Sequence, residues 1–267
     1  MNKQDKGDGR RGIEWTTYSW NPIAGCFHGC QWEMPDGQIA NCYAEDAAEN
    51  SQAVKFYPHG FEHHYWHPDR LNEPLSVRKP SKIFVGSMAD VFGHWVPASQ
   101  IEAVLDICRR AHWHMFQFLT KNPVRAKQFT LPANCWLGAS TPPDHMWGKP
   151  LSEQQKRRML EVTLEALGQR SSPPVAWLSA EPLSWDITPI LENYSNVLQW
   201  MVIGAASKGS VYYQPDPAHL RRLIGYLDDY GVPIFMKGNL RPSLKVAFNF
   251  WREDFPASQV ATQQALF

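Results

Sequence analysis

From residue 82 onward the chain alternates short apolar runs, rich in β-branched and aromatic residues, with stretches of helical periodicity, which leaves few folds open to it. The runs are Lys82-Ile-Phe-Val-Gly-Ser87, Met115-Phe-Gln-Phe-Leu-Thr120, Cys135-Trp-Leu-Gly-Ala-Ser140, Val175-Ala-Trp-Leu-Ser179, Trp200-Met-Val-Ile-Gly204 and Pro233-Ile-Phe-Met236. Between them, 98–112, 152–169 and 216–230 space Ile, Leu and Val along one helix face. Strands joined by helices pair in parallel through right-handed crossovers, so an α/β class follows. Nearly every run leaves through a small polar or charged residue: Ser87 and Asp90, Thr120 and Lys121, Ser140 and Thr141, Glu181, Ser207 and Lys208, Lys237. Such exits mark C-terminal strand ends, the rim that carries ligands and catalytic groups in (β/α) barrels. Six runs fall short of a closed eight-stranded barrel, so the expectation is a TIM-barrel-like partial (β/α) barrel of about six parallel strands. No repeat, low-complexity tract or linker divides residues 1–267, which read as one domain with a polar, flexible segment at 1–12.

Charge excludes little. Lys+Arg and Asp+Glu number 26 each, which argues against a strongly basic field for non-specific nucleic-acid binding. No apolar run approaches a membrane span and residues 1–12 lack an apolar signal core, so a cytoplasmic protein with no membrane partner is expected. The twelve tryptophans are spread along the chain as packing residues would be.

The cysteines are not spread. Trp20-Asn-Pro-Ile-Ala-Gly-Cys26-Phe-His-Gly-Cys30 is followed, after residues 31–41, which end in Asn41, by Cys42-Tyr43-Ala44-Glu45. Five cysteines with three clustered fit metal binding in a reducing compartment better than a disulfide framework. Three thiolates hold a metal or cluster and leave a coordination position open for chemistry. The alternatives are a zinc site, with His28 or one of His59, His63, His64 and His67 as fourth ligand, and plain thiols. A Pro35-Asp36-Gly37 turn lets the insert loop out and returns Cys42 beside Cys30. Cys42 to Ala53 reads as a helix and 55–80 as an ordered loop. Cys108 reads as packing, and Cys135 opens a strand at the rim away from the site. Tyr43 is either a helix-packing residue or a radical relay. Arg125, Lys127, Lys156, Arg157 and Arg158 form either a solvated face or an anion patch.

The cysteine segment resembles the cluster-binding loop of the radical S-adenosylmethionine superfamily. Asn21-Pro22, Gly25-Cys26-Phe-His28-Gly29-Cys30 and Cys42-Tyr43-Ala44 are most similar to its spore-photoproduct-lyase-like branch. The first cysteine spacing matches, whereas residues 31–41 fill a gap that holds two residues in the superfamily. Over the whole chain the sequence resembles phage-associated, radical-SAM-like proteins of unknown function, in Ile13-Glu14-Trp15-Thr16, His67-Pro68-Asp69-Arg70-Leu71, Phe84-Val85-Gly86-Ser87-Met88-Ala89-Asp90-Val91-Phe92, Phe118-Leu119-Thr120-Lys121-Asn122-Pro123, Trp136-Leu137-Gly138-Ala139-Ser140 and Leu178-Ser179-Ala180-Glu181-Pro182-Leu183. Two late motifs depart: Gly-Gly-Glu-Ser-Gly becomes Gly204-Ala205-Ala206-Ser207-Lys208-Gly209, which lacks the acid, and Phe-Lys-Gln-Trp-Gly becomes Met236-Lys237-Gly238-Asn239-Leu240.

The resemblance implies that Cys26, Cys30 and Cys42 ligate a [4Fe–4S] cluster whose remaining iron binds S-adenosylmethionine for reductive cleavage. It implies cofactor contacts from the rim: Ser87 and Asp90 to the methionyl ammonium, Lys121 to its carboxylate, and Ser140 and Glu181 to the ribose or the substrate. Against these stand a capping role for Asp90, a covering role for the Lys121 stem and a lysine pair for Glu181. It implies an electron donor such as a flavodoxin or ferredoxin and, by analogy of fold alone, a nucleic-acid or nucleotide substrate. The other function class is a non-catalytic, metal-stabilised binding protein of phage or defence origin.

Overall fold

The computed structural model describes residues 1–4, 12–50, 52–169, 175–208, 211–240 and 251–257. Seven strands run parallel in one sheet: β1 (Tyr18–Trp20), β2 (Lys82–Val85), β3 (Met115–Thr120), β4 (Cys135–Ser140), β5 (Val175–Ala180), β6 (Trp200–Ile203) and β7 (Ile234–Met236). Their spatial order is their chain order, with a two-residue strand, Asn2–Lys3, added antiparallel at the β1 edge. A sheet wound in one direction has no topological switch point, so its ligand site falls at the common C-terminal rim, as in barrels. The strand order does not close, and no barrel is completed among the described residues.

The six expected runs all form strands, and the seventh, β1, is a three-residue segment too short to show periodicity. Residues 1–4 are not loose. Lys3 pairs with Tyr18, Gln4 donates to Ser19 Oγ at 2.9 Å, and the Met1 amino group pairs with Glu73. Residues 5–11 lie outside the described residues.

Three long helices cover one face: α2 (Ala98–Arg110), α3 (Glu153–Gly168) and α4 (Pro217–Asp229). In α4 the buried positions are Leu220, Leu223, Ile224 and Leu227, the i, i+3, i+4, i+7 stripe of an amphipathic helix. Ser152 and Gln155 form a capping box that starts α3. Pro217 at the first turn and Asp216 as cap start α4. The expected helix over Cys42–Ala53 is shorter: α1 is Tyr43–Glu49, followed by a 3₁₀ turn at Val54–Phe56. Cys108 on α2 and Cys135 at the start of β4 are both fully buried in this helix-side core, far from any rim role.

The other sheet face is graded by size. Strand alternation sends Phe84, Trp136, Trp177, Trp200, Val202 and Phe235 to that side, where they pack with Trp15 into a separate apolar cluster. Trp15 lies 5.2 Å from Trp177 and 4.7 Å from Phe84 between ring centroids, in edge-on or tilted arrangements that favour aromatic pairs. Nearer the C-terminal ends the same face carries Ser140 and Ser179, paired in register, with Gly138 below them. Bulk at the N-terminal end therefore makes a floor, and small residues above it leave room. A Cβ at position 138 would overlap the Trp177 indole. Gly138→Ala should cost about 1–3 kcal/mol of unfolding free energy, read as a lower urea midpoint. An unchanged midpoint would show that this floor is not close-packed.

Candidate functional site

After β1 the chain meets the β2 exit at Asn21. Its amide donates to Ser87 Oγ at 3.0 Å, Ser87 Oγ donates back to Asn21 Oδ1 at 3.2 Å, and the Met88 N–H donates to the same oxygen at 3.1 Å. Gly25 then passes behind that exit with φ +84°, its N–H donating to the Met88 carbonyl at 2.8 Å. A side chain there would overlap the His63 carbonyl oxygen, so only glycine fits. Cys26 follows, its N–H bonded to the Phe61 carbonyl at 3.1 Å.

The insert of residues 31–41 is a β-hairpin, Gln31–Glu33 against Ile39–Asn41, with Gln31 opposite Asn41 and their side-chain amides joined at 3.0 Å. Cys30 and Cys42 flank that pair. Antiparallel pairing holds opposed Cα atoms about 4.5–5.5 Å apart, so the hairpin does what the expected turn required and returns Cys42 to Cys30. Cys42 then stands at the N-cap position of α1 without a side-chain capping bond, and the Tyr43 hydroxyl donates to the Ser87 carbonyl, tying α1 to the β2 exit.

Between this segment and the strand ends lies a cavity of about 280 Å³, lined by Cys26, Cys30 and Cys42 together. Ser87, Asp90, Lys121, Ser140 and Glu181 line the same cavity, so all five sequence-predicted rim residues share it with the three cysteines. Their surroundings differ. Asp90, 5% exposed, accepts four hydrogen bonds: His28 Nε2 at 2.9 Å, Thr120 Oγ1 at 2.7 Å, the Lys121 N–H at 2.8 Å and the Phe92 N–H at 3.0 Å. Burial alone would raise this carboxyl, but those donors outweigh it and hold it below its ordinary value. Asp90 thus caps its own turn and also anchors the cysteine loop.

Glu181 forms an ion pair with Lys237 at 2.6 Å and accepts from Ser179 Oγ at 2.9 Å. Burial would lower the Lys237 ammonium, yet Glu181 and Glu14 raise it above its usual range. Glu14 Oε2 in turn accepts the Gly238 N–H at 2.7 Å. Lys121 has no carboxylate partner among the described residues, and its ammonium sits 6.0 Å from the Trp32 ring centroid. Other basic residues are engaged: Arg125 with the Gly93 and Val96 carbonyls, Lys127 with Gln169 Oε1 at 3.1 Å, Lys156 with Asp144 at 3.1 Å, Arg157 with Glu153 at 2.9 Å and Arg158 with Glu161 at 3.4 Å. They form no shared anion patch.

Asn21, Thr120, Glu14 and Lys237 are site residues for which sequence reasoning assigned no cofactor role. Thr120 and Lys237 stood at strand exits, whereas Asn21 and Glu14 occurred only inside resembling motifs.

Burial pushes all three cavity thiols upward, Cys30 to about 12, with Lys121 acting against the rise at Cys30 and Cys42. The amides of Ala44 and Glu45 also favour the Cys42 thiolate. Among the described residues no three His, Cys, Asp or Glu side chains gather as ligands of one metal ion. The sulfurs of Cys26, Cys30 and Cys42 line one cavity without forming such a group. A tetrahedral zinc ion needs three or four donors converging on one centre, which the described residues do not provide. Thiolates of a cluster bind different irons and stand apart, so the donor set fits a cluster better than a single ion. His59, His63 and Tyr65 form an aromatic contact chain, with ring centroids 4.8 and 4.9 Å apart, and His64 bonds Gln100.

These features define a singly wound, open α/β sheet with a cysteine-lined cavity at its strand-end rim. The chain belongs to the DUF5131 family of proteins of unknown function, which matches residues 10–242. No curated protein matches the sequence. Among solved structures it is similar to spore photoproduct lyase complexed with dinucleoside spore photoproduct, at 7% identity and TM-score 0.48, covering 84% of this chain and 77% of that one. A Tyr-to-Phe mutant of spore photoproduct lyase matches with the same identity and coverage at TM-score 0.47. No helix among the described residues is long and apolar enough to cross a membrane.

A depressed carboxyl stabilises the fold fully above the unfolded value, here 3.8, and loses that contribution as the pH falls through the lower folded value. Asp90→Asn should therefore flatten the acid limb of unfolding free energy against pH. At neutral pH it should cost about 1–3 kcal/mol, since the introduced NH2 leaves buried donors without an acceptor. An acid limb identical to wild type would show that Asp90 is not the charge these donors hold.

Proposed function

We propose that this protein is a radical S-adenosylmethionine enzyme, its open sheet acting as a partial (β/α) barrel and Cys26, Cys30 and Cys42 holding a [4Fe–4S] cluster. The observation that carries the reading is that three cysteines and five rim residues line one cavity. When bound, the cluster and S-adenosylmethionine would supply one-electron reductive cleavage and a carbon-centred radical.

The protein's own groups have separable tasks in this reading. Asp90 is reassigned from a ligand of the methionyl ammonium to a positioning residue, because His28, Thr120 and the Lys121 and Phe92 amides occupy its oxygens. Ser87, braced by Asn21, keeps the ammonium role. Lys121, a cation facing the cysteine cavity without an acid of its own, suits the methionyl carboxylate. Glu181 is oriented by Lys237 and Ser179, which leaves lone pairs for ribose hydroxyls, and Ser140 lies on the neighbouring strand. The Trp15–Trp177 floor keeps water from the cavity base. A reducing partner of the flavodoxin or ferredoxin type would supply the electron, and a nucleic-acid or nucleotide substrate is the accompanying reading.

Anaerobic reconstitution followed by iron analysis and paramagnetic resonance tests this directly. Cys42→Ala should lose most of its iron. In the wild type, S-adenosylmethionine should perturb the reduced cluster's signal and be cleaved slowly to 5′-deoxyadenosine. Lys121→Ala should weaken S-adenosylmethionine binding by about 1.5–3 kcal/mol, the range for a hydrogen bond to a charged group, with iron content intact. A normal cluster that S-adenosylmethionine neither perturbs nor is cleaved by would make the protein a metal-stabilised binding protein instead.

A further inference from the structure

A second cavity, of about 540 Å³, adjoins the cysteine cavity, and His28, Lys121 and Ser140 line both. Its volume falls in the usual range of small-molecule sites, about 300–1,000 Å³. The far wall is apolar, from Pro123, Val124, Met159 and Val162, and Trp147 stands over it.

Trp147 is placed where packing does not explain it. It is 56% exposed, and Val124 on the same cavity is 40% exposed, so two of the few large exposed hydrophobic side chains share one hollow. Trp147 and Gly148 form the two-residue loop of the hairpin His145–Met146/Lys149–Pro150, and their φ values are 54° and 69°. Two positive φ angles mark a type I′ turn, whose first central position favours Asn, Asp or Gly. A tryptophan there is strained and gains little burial in return, the pattern of a residue kept for contact with a ligand. The loop is also fixed in place: the Trp147 N–H donates to the His28 carbonyl at 2.8 Å, and its ring lies 6.4 Å from the His28 ring. His28 Nδ1 is buried without a partner among the described residues.

We infer that this second cavity is a substrate site for a planar aromatic or heteroaromatic ring carrying an anionic group, with Trp147 as its stacking platform. The ring lies on the indole against the apolar wall. The anion meets Lys121 at the seam, the one cation there with no carboxylate partner among the described residues; its ammonium has three donors, enough to serve both this anion and the methionyl carboxylate of the radical-enzyme reading. Only the direction in which the substrate's reacting atom faces rests on the radical-enzyme reading. The site itself does not.

Calorimetric titration of the purified full-length protein tests it with three probes. Indole-3-acetate has ring and charge, indole-3-acetamide has the ring alone, and cyclohexylacetate has the charge without a planar ring. Indole-3-acetate should bind at millimolar concentration or tighter, and each of the others at least about threefold more weakly. Trp147→Asn keeps a residue suited to the turn and removes the ring. It should weaken indole-3-acetate roughly tenfold, leave cyclohexylacetate unchanged, and hold or raise the melting temperature with iron content intact. Trp147→Phe should keep most of the affinity. No binding of any probe, equal binding of all three, or unchanged binding in Trp147→Asn would overturn the inference. So would a lowered melting temperature in that variant, which would make Trp147 structural. Loss of cluster chemistry with probe binding retained would count against the radical-enzyme reading alone.

Discussion

The Asp90 carboxylate is buried beneath the cysteine loop and accepts from four donors drawn from three parts of the chain. A charge out of water is tolerated only when its lone pairs are satisfied, so the β2 exit, the β3 exit and the cysteine loop must all be in place at once. This makes the rim conditional on the loop and the loop on the rim. It also directs chemistry, because Lys121 spends its backbone N–H on Asp90 and leaves its side chain to the cavity. Asn21 repeats the device on a smaller scale, joining the end of β1 to Ser87 and Met88.

Depth is set by a different constraint. Three strands place tryptophan on the inner face near their N-terminal ends, and Trp15 covers them from outside the sheet. The same face then narrows to Gly138, Ser140 and Ser179. An unclosed sheet has no opposite wall to fill its concave side, so side-chain volume must make the floor, and the cysteine segment must make the lid. The cavity is what lies between them.

Much of the fold was legible because parallel strands buried on both faces read as continuous apolar runs. The strand bounds shift by at most two residues from the runs, and 98–112, 152–169 and 216–230 all contain their helices. β1 was not legible. Three residues carry no period, and its place in the sheet comes from pairing with β2. The rim residues were found by a positional rule, that polar residues follow strand ends, and the rule brought all five to one cavity. It had no means of showing which would be free. Asp90 and Glu181 look alike in sequence, one acid after a strand, yet one is enclosed by amides and hydroxyls while the other faces Lys237, a residue 56 positions later. Long-range partners of this kind leave no local pattern. A single tryptophan among twelve reads as packing, and only φ and exposure separate Trp147 from the others.

The insert at 31–41 looked in sequence like an interruption of the cysteine motif, and in the structure it has two consequences that follow from one hairpin. Antiparallel pairing across Gln31 and Asn41 returns Cys42 to Cys30, so the extra residues close on themselves and do not displace the third cysteine. The hairpin's Gln31 edge also pairs with His145, and the Glu33 N–H donates to Asp144 at 3.2 Å. That edge is how the 145–150 hairpin is held beside the cysteine loop, with Trp147 bonded to His28. A strand edge left open at this point would expose unpaired amides. Covering it with a second hairpin both satisfies those groups and builds the wall of the adjoining cavity. The segment that departs from the short cysteine spacing thus also holds the hairpin whose Trp147 walls the second cavity.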